Sequence, residues 1–336
     1  MMRKMSSISA GVLAIFILFS TLFGCAGLCP SSLKDPLPSW KDGEKKRGII
    51  GFVEAVTDPS KASHLPPGER IAVFDNDGTL MCEEPLSVPE AFIFHSVVGL
   101  LEKHPEMGNR RPFKALREKD SHAIEKLSER ELGELTLAPF VGVTQDTYIR
   151  EAGAFLRESR HPRFKVPYTA TAYRPMVELL DYLLSRGFTV YIVSGGLTGL
   201  IRAFSQEMYG IPAENVIGTT AMLRYGKHEG KSVLVRAPSF VMPINDGEGK
   251  AVNIWLRIGK RPVIAVGNSD GDLPMLEFTA DRNGPHLLLL VHHDDEKREY
   301  CYDRGAEKVL EEARKRDWNI VSIKEDFVRV FPFQEK

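Results

Sequence analysis

Two aspartates two residues apart, Asp75 and Asp77, follow directly on an apolar run and are themselves followed by Gly78 and Thr79. Carboxylates this close, just past a buried strand, cannot both leave water cheaply without a cation. A hard divalent ion such as Mg2+ suits oxygen ligands of this kind. With a metal clamp, one carboxylate can attack phosphorus as a nucleophile. The other can protonate the leaving oxygen and later activate water. Gly78 lets the chain turn away sharply, and Thr79 offers a hydroxyl to a phosphate oxygen. An Asp-Gly pair by itself is an ordinary turn. The complete string from Val73 to Leu80 is what sets it apart.

Two further clusters end apolar runs in the same way. Ser194-Gly195-Gly196 puts a hydroxyl and backbone N–H groups at a helix start, a ready anion site. Gly267-Asn268-Ser269-Asp270-Gly271-Asp272 adds oxygen ligands. Asn268 can bind a metal through its amide oxygen, and Asp272 can bind one directly or hold a metal water. Asp270 alternates to a different direction. Lys250 precedes the third run by about a helix and a turn, so it can reach the same place as a fixed cation. Lys227 and Lys231 are worse placed. Weaker candidates for substrate contact are Glu83 and Glu84 after the first cluster, His292 and His293 at a strand end, and the stretch His161-Pro162-Arg163-Phe164.

The elements that must position these residues alternate between strand and helix. Apolar runs at 70–74, 188–193, 262–266, 287–291 and 318–323 read as buried parallel strands. Helical periodicity covers 90–103, 113–117, 123–137, 144–158, 173–186, 197–209 and 250–258, and 215–236 reads as a hairpin. The pattern predicts an α/β fold, a Rossmann-like parallel sheet flanked by helices. Ligands in such sheets bind at the carboxyl ends of strands. No strand signal occurs from 85 to 169, which predicts an inserted all-helical cap; the core takes 48–84 and 170–336.

Residues 75–80, Ser194, Lys250 and 267–272 resemble, in order and spacing, the four motifs of the haloacid dehalogenase-like hydrolase superfamily. The likeness extends over the chain from about Gly48, and 74–80 with 267–276 resembles an exported bacterial branch related to phosphoserine phosphatases. The resemblance implies Asp75 as nucleophile and Asp77 as general acid and base. It implies Mg2+ held by Asp75, a backbone carbonyl of Asp77, Asn268 and Asp272. It implies Thr79, Ser194, Gly195 and Lys250 as phosphate and nucleophile contacts. Many members carry Asp where this chain has Asn268, which removes one negative charge from the metal site. Dehalogenases of the superfamily lack the second Asp, so Asp77 argues for phosphoryl chemistry on a small phosphorylated metabolite.

The 336 residues, 43% of them apolar, suffice for a large core with an insertion. Lys and Arg (44) balance Asp and Glu (45), so nothing electrostatic favours nucleic acid as a partner. Residues 1–25 read as an export signal: Arg3 and Lys4, a short apolar stretch, then Leu22-Phe23-Gly24-Cys25, which resembles a lipoprotein box. Residues 26–47 read as a tether. The expected location is outside the cytoplasm, periplasmic or anchored to the membrane through lipid on Cys25 alone. Cys29, Cys82 and Cys301 remain, and a bridge between the last two is one option. Cys301 reads as lying in a helical stretch. Two other functions suit the same residues: a non-catalytic ligand-binding lipoprotein, and a phosphotransferase.

Overall fold

Short apolar runs buried on both faces have one stable arrangement, a parallel sheet covered by helices. The computed structural model describes residues 35–334. The expected export signal, Cys25, Cys29 and the first part of the expected tether lie outside the described residues.

The chain opens with α1 (Glu44–Thr57) and β1 (Ile71–Phe74). Five helices follow: α2 (Val88–Lys103), α3 (Arg111–Glu118), α4 (Ser121–Glu125), α5 (Glu129–Leu137) and α6 (Gln145–Glu158). Then come α7 (Arg174–Ser185), β2 (Thr189–Leu197), α8 (Thr198–Arg202), α9 (Ser205–Tyr209) and β3 (Val216–Thr219). The hairpin β4 (Ala221–His228) and β5 (Lys231–Phe240) leads to α10 (Glu248–Ile258), β6 (Ile264–Gly267) and α11 (Leu273–Ala280). The chain closes with β7 (Leu287–Asp294), β8 (Cys301–Tyr302), α12 (Glu307–Lys315), β9 (Asn319–Ser322) and α13 (Ile323–Asp326).

The main sheet runs β3-β2-β1-β6-β7, with β9 parallel to β7 and β8 antiparallel to the end of β7. Every other pairing in it is parallel. The carboxyl ends of β1, β2 and β6 therefore point the same way as neighbours. One apolar cluster covers one face of the sheet and includes Phe74, Ile192, Val266 and Leu289; another, with Val73, Val193, Ala265 and Leu290, covers the other face. This is the alternation of a two-sided strand. The helices between β1 and β2 carry a third cluster around Val97, Phe113 and Leu135. Ser87 and Ser128 each start a helix with a reciprocal capping box, to Glu90 and Glu131. Among the described residues no helix is long and apolar enough to cross a membrane.

Several expectations need correction. The tether does not reach residue 47. Leu37 and Trp40 are buried, and Trp40 Nε1 donates to the Pro175 carbonyl at 2.9 Å. Ser39 donates from its amide and its hydroxyl to Glu178, both at 2.8 Å. Lys41 N donates to Asp326 O and Val328 N to Ser39 O, each at 2.8 Å, which ties this arm to the C-terminal segment. A linker-like average composition concealed one anchoring indole. The predicted helices at 123–137 and 197–209 each break into two. Residues 216–219 form an edge strand of the main sheet, and the hairpin follows them. Cys301 lies in β8, not in a helix, and both Cys82 and Cys301 are free.

Candidate active site

The apolar run of β1 places Asp75 one residue beyond the strand, its amide donating to Val266 O of β6 at 2.9 Å. The chain then turns around the Asn76 carbonyl, which accepts from the amides of Leu80 and Met81. Gly78 makes this turn possible. Its φ is +74°, and a Cβ there would lie 2.1 Å from Asn268 Nδ2 and 2.5 Å from Glu83 Oε1. Lys250 arrives on the first turn of α10. Gly249 before it passes so close to the chain that a side chain would meet the Ile244 carbonyl at 1.9 Å.

Lys250 Nζ donates to Asp75 Oδ1 at 2.7 Å and to Asp272 Oδ1 at 2.5 Å, with all three side chains buried. Burial alone would lower the lysine pKa. The charges of Asp272 and Asp75 outweigh it and hold the ammonium protonated. Burial drives Asp75 well above the ordinary carboxylate range, Lys250 pulls it down, and Asp272 and Asp77 push it up again. Asp77 is half-buried. Desolvation, then the charge of Glu83, raise its pKa to about 7.

Asp75, Asp77, Ser194, Gly195 and Lys250 line one cleft of about 480 Å³. Ser194 Oγ accepts from Gly196 N at 3.0 Å, within the end of β2 where its register against β3 shifts. Thr79 does not line the cleft. It is fully buried, and its hydroxyl donates to Asn268 Oδ1 at 2.9 Å, so it orients Asn268. Asp272 is likewise engaged by the protein. Its Oδ2 accepts from the amides of Asn268 at 2.9 Å and Ser269 at 3.0 Å, while Oδ1 takes Lys250. The expected metal ligand thus fixes the lysine and the loop. Asp270 turns away and accepts from Val309 N at 2.8 Å.

The donor set still fits a hard cation. Asp77 Oδ1 is buried with no hydrogen-bond partner. Asp75 and Asp272 share one lysine, and Asp77 and Glu83 add two more carboxyl groups beside them, so acids outnumber that cation. Among the described residues no three His, Cys, Asp or Glu side chains form a ready cage. An ion here would rest on one or two carboxylates, the Asn268 amide oxygen, a backbone carbonyl and water, the usual habit of Mg2+.

Glu83 is built into the site: it accepts from Asn268 Nδ2 at 2.9 Å and from Tyr302 OH at 2.7 Å. Burial raises its pKa. Glu84 reaches Arg304 at the cleft mouth at 3.2 Å. His292 faces outward to Asp303, whereas His293 is buried behind the Gly78 turn. The His161–Phe164 stretch does not touch the cleft. His161 bonds the Glu84 carbonyl at 2.7 Å, and Arg163 bonds carbonyls of the 296–299 turn. Lys227 and Lys231 sit at the hairpin tip, away from the site. Sequence reasoning missed Glu90, Asp246, Tyr302 and Arg304, all lining the cleft. Glu90 carried a legible signal in its capping box, and Asp246 one in the Gly-flanked turn before Lys250. For the other two no local signal exists.

Comparison with known proteins adds the following. The family profile of the haloacid dehalogenase-like hydrolases matches residues 72–277. No curated protein matches the chain. A solved, functionally unknown protein from Anaerococcus prevotii DSM 20548 is similar over 83% of this chain and 91% of its own, at 18% identity and a TM-score of 0.52, which shows the fold. A protein with unknown function from Bordetella pertussis Tohama I aligns over 75% of this chain and 98% of its own, at 16% identity and TM-score 0.49. A phosphoserine phosphohydrolase-like protein from Francisella tularensis subsp. tularensis SCHU S4 aligns over 75% and 94%, at 16% identity and TM-score 0.41. The last two are too distant to add to the first.

Proposed function

The chain belongs to the haloacid dehalogenase-like hydrolases, and from that premise we propose that it is a Mg2+-dependent phosphomonoester hydrolase working through a phosphoaspartate on Asp75. The observation that carries this reading is Lys250 held between Asp75 and Asp272, with Asp77 on the same cleft.

In this reading Lys250 donates to one oxygen of Asp75 and opposes the burial that would protonate it; the ionised carboxylate attacks phosphorus and the ester P–O bond breaks. Asp77, with its pKa at about 7, enters protonated and gives its proton to the leaving alkoxide. Now ionised, it takes a proton from water as that water attacks the phosphoaspartate. Inorganic phosphate leaves, and Asp75 and the protonated Asp77 are restored. The Ser194 hydroxyl, the Gly195 amide and Lys250 hold the phosphoryl oxygens. A Mg2+ held by the Asp75 carboxylate, the backbone carbonyl of Asp77 and Asn268 would neutralise charge on the phosphoryl group. The cleft volume supports a small phosphorylated metabolite as substrate.

The test is phosphate release from p-nitrophenyl phosphate and a panel of phosphomonoesters, with and without EDTA. Asp75→Asn is expected to lower turnover at least about a thousandfold. Residual activity above a tenth of wild type removes Asp75 from the nucleophile role. One observation favours a second reading, ligand binding without turnover: Asn268 is neutral, and Asp272 is engaged by protein donors. Mg2+ binding with no hydrolysis across the panel would select it. Phosphate transfer to added alcohols exceeding hydrolysis would select a transferase. We also propose export and a lipid anchor on Cys25, from the sequence of the first residues; incorporation of labelled lipid, lost in Cys25→Ala, tests it.

A further inference from the structure

Behind the turn that carries Asp77 lies a histidine outside the cleft. His293, at the end of β7, is 2% exposed, and Glu299 is fully buried. His293 Nδ1 is 3.1 Å from Glu299 Oε2, and Nε2 is 2.9 Å from the Gly78 carbonyl oxygen. A carboxylate and a backbone carbonyl both accept and neither donates. A neutral imidazole has one N–H, so one of these contacts would set two lone pairs face to face away from water. The other partners of Glu299 are all donors. Its Oε1 accepts from Tyr173 OH at 2.9 Å and Cys82 Sγ at 3.3 Å, and its Oε2 also accepts from Tyr300 N at 2.7 Å.

The contact at the other ring nitrogen reaches the catalytic turn. The Gly78 amide donates to Met81 O at 2.8 Å, and the peptide after it is tied only by the 3.3 Å bond from Thr79 N to Asn76 O. The 2.9 Å contact of His293 with the Gly78 carbonyl adds a tie to that same peptide, one residue from Asp77. The ring is stacked on Tyr302, centroids 4.5 Å apart and planes at 14°. Tyr302 in turn donates to Glu83, which holds Asn268. The titratable groups facing the ring are thus Glu299, Glu83, Tyr302 and, at 6.1 Å between centroids, Tyr173.

We propose that His293 is a positioning residue, kept as an imidazolium by Glu299, that pins the Gly78 carbonyl and so the turn presenting Asp77, and that gives the acidic site a second buried cation besides Lys250. The proposal rests on the reading of Asp77 as acid and base. Its general logic is that of supporting groups behind metal and acid sites, whose loss typically costs about 10–100-fold in activity.

Two measurements test it. In wild-type protein labelled with 15N-histidine, the His293 ring should show two protonated nitrogens at about pH 8, where ordinary histidines are neutral. His293→Gln assigns the signal by its loss. A ring with one unprotonated nitrogen at that pH overturns the charged state and the proposal with it. In kinetics, His293→Gln keeps a donor but no charge, and Glu299→Gln keeps an acceptor but no charge. Each should lower kcat about 10–100-fold with KM changed less than about threefold. Folded variants with wild-type kcat overturn the positioning role and leave the phosphatase reading standing. A wild type that hydrolyses nothing on the panel overturns that reading, and with it the positioning role, whatever the ring's charge. Should the variants fail to fold, assignment of the His293 ring in the wild type by through-bond correlation to its backbone lets the wild-type spectrum decide.

Discussion

At the strand tips, Asp75, Asn268, Asp272 and Lys250 are sealed from solvent and bound to one another. The helical insert between β1 and β2 is built differently. A cavity of about 690 Å³ opens there among Phe92, His95, Lys103, Phe155 and Glu158. Its charged groups sit at the rim and pair, where they pair, with surface neighbours, as His104 does with Glu106. The first turn of the insert alone, with Ser87, Pro89 and Glu90, joins the catalytic cleft. The contrast separates two tasks. Groups that depend on one another for charge balance cannot vary singly, whereas groups that only line a space can. The tips therefore fix the reaction, and the insert is free to differ.

The strongest way to break this contrast is Lys250→Met. It leaves Asp75 and Asp272 facing each other without a cation, so a loss of about 3–5 kcal/mol in stability is expected, with turnover below about a thousandth. Denaturant titration and phosphate release check it, and near wild-type stability would show that the carboxylates do not need the lysine. Glycine replacements sharpen the comparison. Gly78→Ala must strain a positive φ and displace Asn268, and is expected to cost about 1–3 kcal/mol and most of the activity. Gly142 in the insert also has a positive φ, +81°, but a Cβ added there would meet no atom within 4 Å. Gly142→Ala should cost about 1 kcal/mol and leave kcat unchanged.

A smaller effect concerns pH. The Asp77 pKa rises on folding from 3.8 to about 7. Between those values the folded state binds more protons than the unfolded one, so stability falls as pH rises through that window. In EDTA, wild type should lose melting temperature from pH 4 to 7 and level off above, and Asp77→Asn should flatten the slope. A wild-type curve without that slope would place the Asp77 carboxylate in water. The smallest effect is expected in the insert, where Glu158→Gln should stay within about 0.5 kcal/mol of wild type and within twofold in kcat.

The same contrast explains what the sequence disclosed. That Asp75, Asp77 and Lys250 share one cleft was legible because strand ends collect in one place. Residue type does not say which neighbour takes each hydrogen bond. Thr79 and Asp272 were therefore assigned to ligand, although Asn268 and Lys250 occupy them. Tyr302 reaches the site through a two-residue pairing of β7 with β8, too short for any periodicity to announce, and Glu299 lies in the turn just before it. The strand Val216–Thr219 hid for the same reason, four residues long with Gly218 inside it.

The hydrogen bond from Val328 to Ser39, with the Trp40–Phe327 ring contact at 4.9 Å, has a use of its own. It sets the opening arm and the closing segment of the folded body side by side. A circular permutant joined across that seam by a short linker, and cut at the hairpin tip between Glu229 and Gly230, would retain every pairing of the main sheet. The order in which the strands leave the ribosome is thus separable from the order in which they sit.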